Sequence, residues 1–380
     1  MDLGLSRAQE AVRRKVRRFV EEHVAPNADA WDRSGEFPAA AWRALARSGL
    51  AGLPIPSRYG GAGKDVTSYV LAVEEISRAS AALGVTLAVH TSLASEPLLR
   101  SGTEAQKRRF LRPLARGQHL GSFCLTEPNA GSDVASMEAR AVRKGDGYEI
   151  TGRKYFIMNA PIAGTFVVFA MTDKSLGHRG ISCFVVERGT PGLRIGKVFD
   201  KMGLRSSLTA EVVFDRARVP AENLVGRLGD GFRIAMEALD GGRISIAAQS
   251  VGIAQAALDA AVRHAKTRVQ FGRPIGDQQA IKWMIADTAT EVEAARLLTR
   301  KAARVADLGR RHTLEASMAK LFAASTAVEA TRRALQVHGG YGYMKDLPLE
   351  RYYRDAKITE IYEGTSEVQR LVIAQSLLKE

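Results

Sequence analysis

The run TFVVFAMTD, Thr165 to Asp173, decides the fold. It is rich in β-branched and aromatic residues, lacks helical spacing and closes on turn residues, which predicts a buried strand. Similar runs surround it. ISCFVVERG (Ile181 to Gly189) and TAEVVFDRARVP (Thr209 to Pro220) follow, and ARAVRKGDGYEITGRK (Ala139 to Lys154) reads as two strands joined at Gly145-Asp146-Gly147. Residues 121–225 are therefore expected to form a β domain.

On either side the period changes to three and four. VTSYVLAVEEISRASAALG (Val66 to Gly84) and TEAQKRRFLRPLARG (Thr103 to Gly117) predict helices, broken by loops such as YGGAGK (Tyr59 to Lys64). SRAQ, Ser6 to Gln9, reads as a capping box ahead of a stripe of Val12, Val16, Phe19 and Val20, closed by Pro26. That segment is Arg-rich, but Glu10, Glu21 and Glu22 argue for part of the fold rather than a transit peptide. Beyond GRLGDGF, Gly226 to Phe232, helices return. The longest is expected to carry Ile285, Ala289, Val292, Ala295, Leu298, Ala302 and Val305 on one face, with Glu291, Arg296 and Arg300 elsewhere. The expectation is thus a mainly α chain with a central β domain: an all-α domain over 1–120, β over 121–225, and a helical bundle over 226–380. No internal repeat or low-complexity linker interrupts it.

The 380 residues exceed what one core usually serves, in keeping with two or three domains. No window approaches about 18 uninterrupted apolar residues, so no membrane span is expected. The ending SLLKE, Ser376 to Glu380, is neither a retention nor a peroxisomal address. Cys124 and Cys183 have no pairing or metal spacing, which suits a reducing cytoplasm. A net charge of +14 points to an anionic partner: nucleic acid, a membrane surface or a phosphate-bearing small molecule. Basic residues interleave with acids along the chain, which speaks against a nucleic-acid tail.

Several chemistries drop out. No GxGxxG follows a predicted strand, and RYGGAGKD (Arg58 to Asp65) has Arg58 where a P-loop needs its first glycine and Asp65 after the lysine. There is no HExxH, CxxC or GxSxG. His23, His90, His119, His178, His264, His312 and His338 are scattered, as surface or packing histidines are.

Three segments stand out. FCLTEPNAGSDVAS, Phe123 to Ser136, offers backbone N–H groups and hydroxyls suited to a polar cofactor edge, or is a domain-entry loop. RVQFGRPIGDQQ, Arg268 to Gln279, places Arg268 and Gln279 for anionic and adenine groups, or is simply solvated. In Gln336 to Glu367, Gly339 and Gly340 allow close approach to a phosphate, or end a helix. The same stretch ends in EIYEGTSEVQ, with Glu363 directly before Gly364: a surface glutamate at a helix end, or a base held at a turn.

Taken together, CLTEPNAGSDVAS and the spacing Q-x2-GG-x-GY-x2-D-x4-R-x3-D, Gln336 to Asp355, resemble the two signatures of the acyl-CoA dehydrogenase family. The resemblance covers the whole chain, and ALDGGRISIAAQSVGIAQAALDAAV (Ala238 to Val262) is most similar to short-chain and branched short-chain members. It implies an N-terminal helical domain, a β-barrel-like middle domain and a C-terminal four-helix bundle. It also implies FAD as cofactor and a role in fatty-acid β-oxidation. Carried over position by position, Phe123, Leu125, Thr126, Gly131 and Ser132 line the flavin, with Ser132 also at the substrate, and Phe156, Ile157 and Met158 lie against its ring. Arg268, Phe271, Gln279, Gln336, Val337, His338, Gly339 and Gly340 bind the pyrophosphate and adenosine across a subunit boundary, and Thr365, Ser366 and Glu367 also touch FAD. Asp240, Gly241, Gly242, Arg243 and Gly364 line the acyl-CoA site.

Glu363 falls where most of the family carries its base; some members carry it at the position of Gly242. The implied reaction removes the pro-R α-proton of an acyl-CoA while the β-hydrogen goes as hydride to flavin N5, giving a trans-2-enoyl-CoA. Two departures stand out: Phe156 replaces a tryptophan common in relatives, and Met158 replaces a threonine that hydrogen-bonds N5, which methionine does not. Glu96, in HTSLASEPLL (His90 to Leu99), either shortens the acyl pocket or turns to solvent. The resemblance further implies electron-transfer flavoprotein as acceptor and a homo-oligomer, a dimer of dimers. Competing readings on the same fold are a flavin oxidase acting on carrier-protein thioesters or nitroalkanes and a DNA-associated flavoprotein. The nitroalkane type uses Asp as base, and the DNA-associated relatives extend further at the C-terminus.

Overall fold

In the computed structural model, which describes residues 4–378, TFVVFAMTD lies in a strand with strands on both sides. Strands β1 (Leu120–Cys124), β2 (Arg140–Lys144), β3 (Gly147–Met158), β4 (Ala163–Met171), β5 (Ile181–Glu187), β6 (Leu193–Val198), β7 (Thr209–Pro220) and β8 (Leu224–Val225) form one sheet. Its order is β6-β7-β3-β2-β4-β5-β8, with β1 parallel beside β4. The turn between β2 and β3 is the predicted one at Gly145 and Asp146. Every residue of β4 from Thr165 to Met171 is buried. Successive side chains of a strand point to opposite faces. Val167, Phe169 and Met171 accordingly join a core shared with helical residues such as Leu93 and Ile234, while Phe166, Val168 and Ala170 join a core within the sheet with Ile150, Phe184 and Phe214.

The first helix, α1 (Arg7–His23), starts with the predicted capping box: Ser6 Oγ accepts from the Gln9 N–H at 3.2 Å and Gln9 Oε1 from the Ser6 N–H at 3.0 Å. Val12, Val16 and Phe19 are buried, so the segment is part of the core. After two short helices (Ala28–Ser34 and Ala39–Arg47) come α2 (Val66–Ala79) and α3 (Ala81–Ala88), a π-helical segment (Val89–Ser95) and α4 (Glu96–Ser101). After the sheet come α5 (Gly231–Thr267), α6 (Gln279–Asp307), α7 (Thr313–His338), α8 (Leu349–Lys357) and α9 (Ser366–Leu378). Lys379 and Glu380 of the SLLKE ending lie outside the described residues.

Two helical expectations need correction. The longest helix is α5, with 37 residues against 29 for α6. It runs straight through Gly241-Gly242, because packing against α2, α6 and α7 overrides the poor helix propensity of glycine. On α6, Val292, Ala295 and Ala302 are buried as expected, but Ala289 is exposed and Thr288 and Thr299 are buried instead. Helix α5 also has the length and hydropathy of a membrane span, although 83% of the apolar window is buried inside this fold. Its many alanines are there to pack helices closely.

Candidate active site

Glu363 lies in the turn between α8 and α9, with φ of +52°, followed by Gly364 at +90°. Two consecutive left-handed residues are costly for a side chain-bearing position and persist where the surroundings fix them. Here Lys320 Nζ, from α7, donates to the Gly364 carbonyl at 2.7 Å, and Gln369 Nε2 donates to the same oxygen at 2.9 Å. Tyr362, beside it, donates its hydroxyl to Gln249 Oε1. The Glu363 carboxyl is buried, and neither oxygen has a hydrogen-bond partner among the described residues. Burial without partners penalises the charged form, so its pKa is pushed up to about 8, with Lys320 and Arg243 opposing the rise.

Gly242 is in direct contact with this carboxyl. A Cβ built on it would stand 2.1 Å from Glu363 Oε2 and 2.8 Å from Leu93 Cδ2. Arg243 is 5% exposed and bound through Nη1 to Asp240 Oδ1 at 2.6 Å, while its Nε is buried and unpartnered. Asp240 also accepts from Thr313 Oγ1 at 2.5 Å.

A cavity of about 180 Å³ opens onto Glu363, Gly364 and Arg243. Phe123, Leu125, Thr126, Gly131, Ser132, Phe156, Ile157 and Met158 all line it. Val89 and Leu93, from the π-helical segment, also reach it, and such wide turns often sit at functional sites. The loop after β1 is tied down by Lys154, which is 0% exposed and donates to Glu127 Oε1 at 2.7 Å and to the Leu125 carbonyl at 3.0 Å. Glu127 in turn accepts from the N–H groups of Glu138 at 2.6 Å and Ala139 at 3.0 Å. Phe156 is 61% exposed with φ of +56° and packs against Tyr155 and Phe199. The Met158 carbonyl accepts from Ser122 Oγ at 2.9 Å.

A second cavity, of about 590 Å³, gathers Arg268, Phe271, Gln336, Val337, His338, Gly339 and Gly340. None of these lines the first. Gln279 does not line it either: it is exposed at the start of α6, and its neighbour Gln278 takes the place. The Arg268 guanidinium sits 5.1 Å over the Tyr341 ring, and His264 stacks on His338 at 4.2 Å. Thr365 accepts from the Val368 N–H as α9 begins, Ser366 is buried and Glu367 is exposed; none of the three lines either cavity. Glu96 bonds to Arg100 one turn on and is not among the residues that line the first cavity.

Sequence reasoning missed Lys320, Lys154 and the apolar lining from Val89, Leu93, Met236, Leu239, Tyr362 and Val368. Their partners are distant in sequence, so no local spacing marks them.

The site thus sets a buried carboxyl with no hydrogen-bond partner among the described residues in a cavity lined by apolar side chains and the Thr126 and Ser132 hydroxyls. The chain belongs to the acyl-CoA dehydrogenase family. The models for its N-terminal, middle and C-terminal domains match residues 6–118, 122–217 and 229–378. The chain is 49% identical to a short-chain specific acyl-CoA dehydrogenase of Clostridium acetobutylicum, covering 100% of both chains. To the acryloyl-CoA reductase (NADH) of Anaerotignum propionicum it is 47% identical over 100% of this chain and 96% of the other. The structure of butyryl-CoA dehydrogenase from Megasphaera elsdenii superposes with a TM-score of 0.98 at 45% identity, covering 100% of both chains. The protein is therefore an FAD-dependent oxidoreductase of the CH–CH class.

The residues present fit that cofactor. The first cavity is lined by Phe123, Leu125, Ile157 and Met158 together with Thr126 and Ser132, and Arg268 lines the second. A Cβ added at Gly131, Gly339 or Gly340 would meet nothing within 4 Å, so the backbone there is open to close approach.

Proposed function

We propose that the protein dehydrogenates a short-chain or branched short-chain acyl-CoA at the α,β-bond to the trans-2-enoyl-CoA, with Glu363 as the base. The observation that carries this reading is the Glu363 carboxyl, buried without any partner in the cavity that also holds Phe123 to Ser132 and Phe156 to Met158. Bound FAD supplies the acceptor for the β-hydrogen as hydride. Phe123, Leu125, Thr126, Ile157 and Met158 would hold its ring, and Arg268 with Gln336 to Gly340 of a second copy would hold its phosphates. The ionised Glu363 takes the α-proton, and its freedom from hydrogen bonds keeps both oxygens available for that proton. Val89, Leu93, Met236 and Leu239 close the acyl end with aliphatic side chains and exclude water. A small apolar floor of this kind supports short acyl groups. The chain's +14 charge suits the anionic CoA carrier.

The remaining assignments follow from the resemblance. A homo-oligomer, built as a dimer of dimers, would cover the exposed Phe271 (93%), Tyr343 (78%) and Trp283 (60%). Electron-transfer flavoprotein is the electron acceptor, and the free, buried Cys124 and Cys183 accord with a reducing cytoplasm.

An anaerobic absorbance titration with butyryl-, isobutyryl-, isovaleryl- and octanoyl-CoA tests the assignment. Bleaching of the flavin band by a four- or five-carbon thioester, and not by octanoyl-CoA, is the expected result. A bound flavin that no acyl-CoA reduces would overturn it and make Met158 the first suspect.

The pH dependence follows from the raised acid. Only ionised Glu363 accepts a proton, so kcat/KM should rise with pH through about 8 and fall roughly tenfold per unit below it. A profile that is flat between about pH 6 and 9 would contradict the assignment. Gly242→Ala provides a geometric check. Its new methyl group would displace the Glu363 carboxyl, and misplacement by about 1 Å costs on the order of 100-fold in rate. Flavin reduction measured beside a thermal melt should show the rate loss with little change in Tm.

A further inference from the structure

Lys320 lies mid-helix in α7 with no exposed surface, among small and apolar neighbours such as Ala316, Ala319, Ala323 and Ala324. Burying an ammonium group there is expensive unless something compensates it. Its Nζ donates to the Gly364 carbonyl, but Gln369 already donates to that oxygen, so a neutral side chain satisfies the backbone without any charge. Lys320 forms no ion pair among the described residues. Arg243, the other cation near Glu363, is by contrast committed to Asp240 at 2.6 Å.

We propose that Lys320 is a positioning residue for the reaction: its buried ammonium group anchors the turn that presents Glu363, through the Gly364 carbonyl, and carries a charge that no carboxylate among the described residues pairs. The inference rests on Glu363 being the base.

The charged and titratable groups facing this pair come from several elements. Arg243 reaches in from α5, Glu360 and Glu367 flank the turn, and Tyr362 and, from α2, Tyr69 feel the Glu363 charge. Burial and Arg243 disfavour the charged form of Lys320 while Glu363, Glu360 and Glu367 favour it, leaving its pKa at about 8. Lys320 and Arg243 together hold Glu363 lower than burial alone would place it. Removing the lysine charge therefore favours the protonated, unreactive acid. A nearby opposite charge moves a carboxyl by roughly 1–3 pH units, so loss of one that acts on Glu363 should be measurable.

The test uses the flavin-loaded oligomer with Lys320→Met, which removes charge and donor, and Lys320→Gln, which keeps a donor. Two quantities are followed against pH: the rate of flavin reduction by the acyl-CoA that reduces the unaltered protein, and the Glu363 carboxyl stretch. The stretch is isolated by infrared difference against Glu363→Gln. Both midpoints should rise by about one unit or more in both variants. Reduction at pH 7 should then be about tenfold slower and should recover at high pH. Unmoved midpoints, a rate loss that alkaline pH does not recover, or failure of both variants to fold would overturn the proposal and leave Lys320 a purely structural residue. Failure of the base assignment would look different: Glu363→Gln would then itself reduce flavin at near-normal rate.

Discussion

Glu363→Gln should give a folded, yellow, acyl-CoA-binding protein whose flavin is reduced about 100- to 10,000-fold more slowly, the range a positioned general base contributes. The substitution isolates chemistry from structure. Both oxygens of the native carboxyl lack partners, so exchanging one for an amide nitrogen breaks no hydrogen bond. It also removes a buried acid held far from its ordinary proton affinity, so Tm should hold or rise. Anaerobic stopped-flow traces of the flavin band, read beside acyl-CoA binding, make the measurement. Reduction within a fewfold of the unaltered protein would end the case for Glu363.

Lys154→Met should have the largest effect on stability, about 3–5 kcal/mol, because it strands the Glu127 carboxylate in the interior. The consequence should reach the cofactor. Lys154 and Glu127 together fix the backbone of the loop after β1, including the Leu125 carbonyl and the N–H groups of Glu138 and Ala139. The variant is therefore expected to purify with less bound flavin as well as to unfold at lower denaturant. Pairing it with Glu127→Gln should recover part of the loss, since no lone charge then remains buried. A destabilisation under about 1 kcal/mol would show that the pair is not what holds this loop.

Much of this architecture is legible in the sequence because its signals are local. The β-branched run at Thr165, the Gly145–Asp146 turn and the box at Ser6 to Gln9 each declare themselves within a few residues. The clustering of Phe123 to Ser132 with Phe156 to Met158 is equally visible once the family signatures are seen. What stays hidden is long-range. Lys320 looks like any solvated lysine on a helix, and only the fold brings it to Gly364, 44 residues away. Lys154 reads as a polar strand residue until Glu127 is placed beneath it. Helix α5 continues through Gly241-Gly242 because the packed neighbours on α2 and α7 outweigh the poor helix propensity of glycine. Gln278 and Gln279 cannot be told apart without knowing where the turn of α6 begins.

The central strand β4 has a consequence for how the molecule melts. Because consecutive residues of β4 feed two different interiors, neither interior is complete when the other is lost. A slip of one residue along β4 would exchange Phe166 and Phe169 between compartments shaped for other neighbours, so no near-native register competes with the real one. Unfolding of the sheet and of the helices packed on it should therefore appear as one shared cooperative transition. Such a common wall makes the site's two halves, the loop after β1 and the helix bearing Gly242, rise and fall as a unit.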